Sequence, residues 1–376
     1  MKILMVVTSL NVGGAERQVA DLADKLVERG HVVKIVYLTG KPVTLPQNPS
    51  IEIIPLNITF SLNNFIKAVK KIKKIVKDFN SDIVHSHMIH ANIFMRIVRI
   101  FVPFPVLICT AHNFKEEGKK GSLKLREFLY RITDPLCDIT TQVGKSGMER
   151  YVKNKITPAN KIIYMPNGID VNKFQRNELI REKMRKEMNL DEGFFVWLAV
   201  GRLVSQKNYN CLLQAFKKVI EARKNAFLLI AGGGELENEL KKLASDLLLN
   251  DSVIFLGVRN DINKLMNAAD AFVLSSDFEG FGIVLVEASL SELPVVATDC
   301  GESPEIVKNG ETGYLVPIKD PEALAKKMLE MMNLSELERR KMGEKGREYV
   351  ANQYDLEKIV DKWISLYQKL LEKNQR

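Results

Sequence analysis

"DFEGFGIVLVEAS", residues 277–289, places two carboxylates, Glu279 and Glu287, on either side of a glycine-bearing turn and an apolar run. Ahead of it, Ala271–Leu274 is apolar enough to read as a strand, and Gly282 to Leu290 has the composition of a helix. Glu279 and Gly280 then fall in a strand-to-helix loop. The first N–H groups of a helix have no intrahelical acceptor, so those of Phe281, Gly282, Ile283 and Val284 are available to an anion. Glu287 follows one to two turns into the helix among Val284, Leu285, Val286 and Ala288. A carboxylate there either faces solvent or has a specific partner. One such partner is a ribose diol, whose two hydroxyl hydrogens a single carboxylate can accept. The plain alternative is an exposed helix glutamate preceded by a first-turn glutamate.

Outward from this stretch, continuous apolar runs alternate with helical periodicity. The runs cover 3–7, 32–38, 51–56, 82–86, 105–111 and 161–166, then 194–201, 226–232, 253–257, 271–276 and 294–299. Helical patterns such as 206–223, 235–248 and 279–290 lie between them. Strands without polar alternation are buried on both faces, which predicts parallel sheets sandwiched by helices. The alternation runs through twice, with a polar, highly charged break near 172–192 that reads as a linker and entry to a second domain. The expected architecture is α/β: two doubly wound, Rossmann-like domains facing across a cleft, where ligands of such sheets bind. The boundaries expected are 1–175 and 176–354, with 355–376 a helix that packs back on the first domain through Ile359, Trp363, Leu366, Leu370 and Leu371.

Other motifs sit at strand ends. In "TSLNVGGAERQVADLADKL" (8–26), Gly13 and Gly14 allow a tight turn into a helix whose N-terminus could receive a phosphate, although turn geometry alone would also explain them. "GRLVSQKN" (201–208) puts Arg202 and Lys207 across a turn at a strand's C-terminal edge, an arrangement suited to a diphosphate. "AGGGELENEL" (231–240) resembles a dinucleotide fingerprint through Gly232 and Gly234, but Glu237 stands where its third glycine belongs, which argues against a nicotinamide dinucleotide. His85, His87 and His90 form H-x-H-x-x-H without an acid or cysteine among them and across a strand-to-helix change, a poor metal set.

Composition narrows the classes. The 376 residues are 46% hydrophobic, and the net charge of +9 comes from +12 over residues 1–180 and −3 over the rest. The first half therefore meets something anionic: a membrane surface, nucleic acid or a phosphorylated substrate. The densest basic stretch, 63–80, carries Phe65, Val69, Ile72, Val76 and Phe79 at helical spacing with lysines at 67, 70, 71, 73, 74 and 77. It reads first as a packed helix with a solvated face and second as an electrostatic membrane contact, for which 115–131 is another candidate. Four scattered cysteines, Cys109, Cys137, Cys211 and Cys300, without a C-x-x-C pair, fit reduced thiols in a cytosolic protein. "MKILMVVTSL" is followed by "NVGGAER" and no small-residue cleavage site, so it reads as a buried first strand; no run approaches the roughly 18 apolar residues of a membrane span.

Taken together, E-G-F-G with seven residues between its two acids, "PNGID" (166–170), "GRLVSQKN", "FLG" (255–257), "TDCGESPEIV" (298–307), "GGAER" and "TAHN" (110–113) resemble the retaining GT-B glycosyltransferases of family 4, with their E-x7-E motif, in order along nearly the whole chain. One departure is that Gly301 is followed by Glu302 where the family often has a second glycine. The resemblance implies that Glu287 holds the ribose hydroxyls of a nucleotide sugar and that Glu279 with the 280–284 backbone holds the donor sugar and diphosphate. Arg202 and Lys207 would neutralise the leaving diphosphate, and His112 would lie near the anomeric carbon. Gly13, Gly14 and Val258 complete the expected donor set. It further implies hexose or N-acetylhexosamine transfer, from UDP or secondarily GDP, to a saccharide or lipid-linked saccharide in polysaccharide or glycolipid synthesis. No cofactor is expected, and no metal, since no D-x-D occurs in the chain. The expected location is cytoplasmic, with peripheral attachment to the inner face of the cell membrane. The competing readings are a nucleotide-sugar epimerase of the same fold, which leaves the basic half without a purpose, and a non-catalytic nucleic-acid binder, which lacks a docking motif.

Overall fold

The computed structural model describes residues 1–376 apart from 12, 59–61, 113–119, 192 and 376. The chain forms two compact units, Met1–Gly168 with Leu356–Arg376, and Ile169–Asp355. The division thus falls at Gly168/Ile169, ahead of the expected 175/176.

In the first unit, β1 (Lys2–Val7), β2 (Val32–Tyr37), β3 (Glu52–Pro55), β4 (Ile83–His87), β5 (Val106–Ala111), β6 (Ile139–Gln142) and β7 (Ile162–Tyr164) form one parallel sheet in the order β3-β2-β1-β4-β5-β6-β7. β1 explains why its sequence does not alternate. Ile3, Met5 and Val7 pack toward one layer, which includes the helix Gly14–Glu28, while Leu4 and Val6 pack toward another, which includes the helices Leu62–Phe79 and Ile89–Val98. The first layer is completed by the helix Leu356–Gln375, which contributes Ile359, Val360, Trp363, Leu366, Tyr367 and Leu370. Glu357 and Asp361 on that helix pair with Arg29 at 2.6 and 2.5 Å, and Glu357 also meets Lys25 at 2.9 Å. On the helix Leu62–Phe79, Ile72, Val76 and Phe79 are buried and the lysines at 67, 70, 71, 73, 74 and 77 are exposed.

The second unit has β8 (Phe195–Val200), β9 (Ala226–Ala231), β10 (Val253–Gly257), β11 (Ala271–Leu274), β12 (Val295–Thr298) and β13 (Gly313–Val316), again parallel, in the order β10-β9-β8-β11-β12-β13. Trp197 and Ala199 of β8 bury against the helices Tyr209–Ala222 and Pro321–Asn333 through Leu212, Phe216, Leu324 and Met328. The charged stretch near 172–192 is not a free linker. It contains the helix Glu178–Glu187, capped by the Asn177 side chain, and Arg181 and Arg185 on it converge on Asp270 at 2.5 and 3.2 Å. No helix among the described residues is long and apolar enough to cross a membrane.

Each sheet reverses its strand order beside its first strand, between β1 and β4 and between β8 and β11. The loops leaving the C-terminal ends of those strands border the crevice in which ligands of doubly wound sheets bind. This is where the sequence motifs fall.

Candidate active site

In the second unit, two loops leave the switch point. β8 runs into Gly201 and then a short 3-10 turn, Ser205–Lys207, closed by Asn208 in the left-handed region (φ +46°). β11 runs into Ser275–Gly282 and the helix Ile283–Leu290. Four hydrogen bonds stitch the loops together: Asp277 N donates to Gln206 O, Gln206 Nε2 to Phe278 O, Asn208 Nδ2 to Asp277 Oδ1 and Ser275 Oγ to Lys207 O, all at 2.7–2.9 Å. The scaffold delivers Lys207 Nζ to Glu279 Oε1 at 2.5 Å, and Ser276 Oγ donates to the same oxygen at 2.6 Å. Glu279 is 5% exposed. Its ionised form is compensated by one ammonium and one hydroxyl, the condition under which a carboxylate can be kept in an interior. Burial, with the charge of Glu279 as a second cause, raises the pKa of nearby Tyr209, whose OH donates to Gly201 O at 3.2 Å.

Three glycines hold this arrangement by close backbone approach. A Cβ on Gly301 would lie 1.9 Å from the Glu279 carbonyl oxygen, and Gly301 also has φ +54°. A Cβ on Gly232 would lie 1.9 Å from Gly201 O, and one on Gly234 would lie 2.4 Å from Leu203 O. The glycines of 231–234 therefore seat that loop against the one bearing Arg202 and Lys207, a role that needs no dinucleotide.

The other expected donor residues of this unit differ in exposure. Gly282 takes φ +79° at the N-cap of Ile283–Leu290, and Phe281 beside it is buried edge-on against Tyr354, with ring centroids 5.2 Å apart. Gly280, Ile283, Val284 and Glu287 are half-buried, Arg202 is exposed and Val258 is 69% exposed. Glu287 lies on the second turn of the helix, as its spacing predicts.

Gly13, Gly14 and His112 belong to the first unit. Gly13 caps the helix Gly14–Glu28 in extended conformation, and a Cβ there would come within 2.3 Å of Glu16 Oε2. An acid thus already lies against the turn where a phosphate was expected. His112 follows β5 and is buried with His85 and His87, which occupy alternate positions of β4 and so share a face. His85 is locked at both nitrogens, Nδ1 to Tyr367 OH at 2.8 Å and Nε2 to Thr110 Oγ1 at 2.6 Å. His87 Nδ1 and His112 Nε2 share a hydrogen bond of 3.1 Å. Burial lowers the pKa of His112 to about 4 and of His85 to about 3, and holds His87 well below its usual value. His90 is exposed on the helix Ile89–Val98, so the H-x-H-x-x-H spacing does not bring three imidazoles together; the third ring of the cluster is His112. The remainder of "TAHN", Asn113, and the first part of the 115–131 segment lie outside the described residues.

Residues 12–173 match Glycosyltransferase Family 4, and residues 180–349 match Glycosyl transferases group 1. Over 314 residues, 82% of this chain and 80% of the relative, the sequence is 30% identical to the UDP-Gal:alpha-D-GlcNAc-diphosphoundecaprenol alpha-1,3-galactosyltransferase of Escherichia coli. The chain is a family 4 glycosyltransferase. The glycosyltransferase is also 27% identical to N-acetyl-alpha-D-glucosaminyl L-malate synthase of Bacillus anthracis, across 99% of this chain and 98% of that one. Among solved structures it is similar to HepE of Anabaena in complex with UDP and glucose, with TM-score 0.84, 20% identity and coverage of 98% and 100%. A glycosyltransferase of Rickettsia africae gives TM-score 0.85 at 22% identity, covering 98% of each chain. These likenesses establish the fold of the glycosyltransferase as GT-B.

Sequence reading did not single out Ser276, Gln206 or Asn208, which hold the Lys207–Glu279 pair in place. Gln206 and Asn208 lie inside "GRLVSQKN" and Ser276 immediately precedes "DFEGFGIVLVEAS", but a polar loop residue carries no periodic signal of what it will bond.

Proposed function

We propose that this glycosyltransferase transfers a hexose or N-acetylhexosamine from a nucleotide-diphosphate sugar, UDP first and GDP second, to a saccharide or lipid-linked saccharide. The transfer retains anomeric configuration and uses no metal ion. The observation that carries the reading is the ion pair of half-buried Lys207 with buried Glu279 at the switch point of the second sheet. In the resting site the ammonium is balanced by the carboxylate. An arriving diphosphate competes for Lys207 and leaves Glu279 free to accept hydroxyl hydrogens of the donor sugar. As the glycosidic bond breaks, Lys207, Arg202 and the N-terminal N–H groups of Ile283–Leu290 meet the charge that grows on the leaving diphosphate, the main electrostatic task of such a step. Glu287 is assigned to the ribose hydroxyls and His112 to the sugar. The substrate class is supported by the Escherichia coli relative, named for UDP-Gal and a diphosphoundecaprenol-linked sugar, and by the nucleotide in the Anabaena complex.

A thermal-shift panel of UDP-, GDP- and ADP-sugars tests the reading. A ligand at 100 times its Kd stabilises by about 2.7 kcal/mol; DNA should give no shift, and a panel without any responding nucleotide sugar would overturn the assignment. Proton NMR of the product then reads the anomeric configuration, and an inverted product would refute retention. Excess EDTA is expected to leave turnover intact; loss restored by Mg²⁺ or Mn²⁺ would refute metal independence. Glu287→Ala is expected to weaken donor binding roughly ten- to a hundredfold, the scale of a charged hydrogen bond. Equal donor affinity by calorimetry would remove the ribose assignment.

The acceptor side is assigned to the first half, which carries the surplus charge. Exposed lysines on Leu62–Phe79 form one face of that helix, and on Lys120–Thr133 the side chains of Leu125, Phe128 and Ile132 are exposed. Such surfaces suit peripheral attachment to an anionic cytoplasmic leaflet during cell-surface polysaccharide or glycolipid synthesis. Liposome co-sedimentation is expected to require anionic lipid and to fade as salt rises. Unchanged binding after Lys→Glu at 70, 71, 73 and 74 would reduce these lysines to a solvated face.

A further inference from the structure

We propose that His87 is a positioning residue for His112, holding its ring so that Nδ1 is the atom left for a sugar hydroxyl. The inference rests on the assignment of His112 to the sugar. His87 Nδ1 and His112 Nε2 share a 3.1 Å hydrogen bond, and the two outer nitrogens, His87 Nε2 and His112 Nδ1, are buried without a partner among the described residues. A buried imidazole nitrogen with nothing to bond is costly unless a ligand completes it. Of the two residues His112 is the less enclosed, at 7% exposed against 1%, and it is the one assigned to the sugar.

His87 is itself fixed. The ring of His85 lies against it with centroids 3.9 Å apart, and His85 is clamped by Tyr367 OH and Thr110 Oγ1, the latter bonded to Thr141 Oγ1 at 2.7 Å. Burial keeps both His87 and His112 neutral, so each ring carries one proton. Their tautomers are then linked. If His87 donates from Nδ1, His112 accepts at Nε2 and presents Nδ1–H; if His112 donates from Nε2, it presents a lone pair at Nδ1. In both cases Nδ1 of His112 is the ring atom left for a ligand, and it can donate to or accept from a hydroxyl while both rings stay neutral.

The test uses the full chain and the donor sugar that the panel identifies. His87→Phe keeps a ring against His85 and deletes the hydrogen bond; kcat is expected to fall about tenfold, the scale of a lost, misoriented hydrogen bond. His87→Asn restores a polar atom near the Nδ1 position and is expected to recover most of that loss. Affinity for the free nucleotide should be the same in all variants. Adding His87→Phe to His112→Ala should cost nothing further, because one residue acts through the other. A wild-type kcat in His87→Phe, a further tenfold loss in the double variant, or no recovery in His87→Asn would overturn the proposal. Wild-type turnover in His112→Ala would instead overturn the assignment on which it rests. The ¹⁵N shifts of the His112 ring give a second readout: His87→Phe should change its tautomer balance, and an unchanged balance counts against the proposal.

Discussion

Replacing Lys207 by alanine is expected to lower kcat by about 10²- to 10³-fold, the scale seen when one preorganised electrostatic stabiliser is removed. Two effects coincide at this position. On the proposed assignment the leaving diphosphate loses a half-buried cation, and Glu279, 5% exposed, loses the ammonium 2.5 Å away that compensates it. Breaking a buried pair by deleting one partner costs on the order of 3–5 kcal/mol, so the melting temperature should fall as well. The two effects separate in Lys207→Ala with Glu279→Gln. Neutralising the stranded carboxylate should return stability while leaving kcat low. Arg202→Ala is expected to have a smaller effect, because Arg202 is exposed and acts through solvent screening. Turnover of Lys207→Ala within a few-fold of wild type, or a double variant that regains activity together with stability, would refute the role given to the pair.

Acid should unfold the first unit well above the usual carboxylate range. His85, His87 and His112 are neutral in the fold because burial depresses their pKa values, the first to about 3 and the last to about 4. In the unfolded chain each titrates near 6.5. As pH falls below that value the unfolded state binds the extra protons, so stability is full above about 6.5 and declines below it, by roughly 1.4 kcal/mol per pH unit for each histidine. Three together approach the typical stability of a domain, about 5–15 kcal/mol, within a few pH units. The chain's two tryptophans report separately, Trp363 beside His85 in the first unit and Trp197 in the second. A Trp197→Phe variant should show its fluorescence transition between about pH 6.5 and 4, and a Trp363→Phe variant a lower midpoint. Coincident midpoints, or a first unit intact at pH 4, would contradict the account.

The fold was legible wherever burial on both faces made a strand a continuous apolar run. It was not legible at β6, "ITTQ", where Thr140, Thr141 and Gln142 are buried polar residues. Arg96 reaches Thr140 Oγ1 at 2.8 Å and Thr110 bonds Thr141, so an interior polar network replaces the hydrophobic signal. β13, "GYLV", was also not read as a strand. At the candidate site, the spacing of Glu279 and Glu287 and the cations of 201–208 could be read directly, because each follows from a strand-to-helix turn. The Lys207–Glu279 contact could not, since it joins residues 72 apart in sequence. The His85–His87–His112 cluster was half visible: alternation on one strand aligned the first two rings, but nothing local indicated that β5 would bring the third.

The helix Leu356–Gln375 also sets an order of manufacture. Its residues Ile359, Trp363 and Tyr367 cover Ile3, Met5 and Val7, yet the ribosome makes them only after all of Ile169–Asp355. At about 5–20 residues per second that interval lasts on the order of ten to forty seconds. Throughout it the face of the earliest strand is covered only in part, by the helix Gly14–Glu28, and by its end the later-made unit has its six strands β8–β13 complete. The half begun first is the half finished last, and it is the one that a nascent-chain chaperone would have reason to hold.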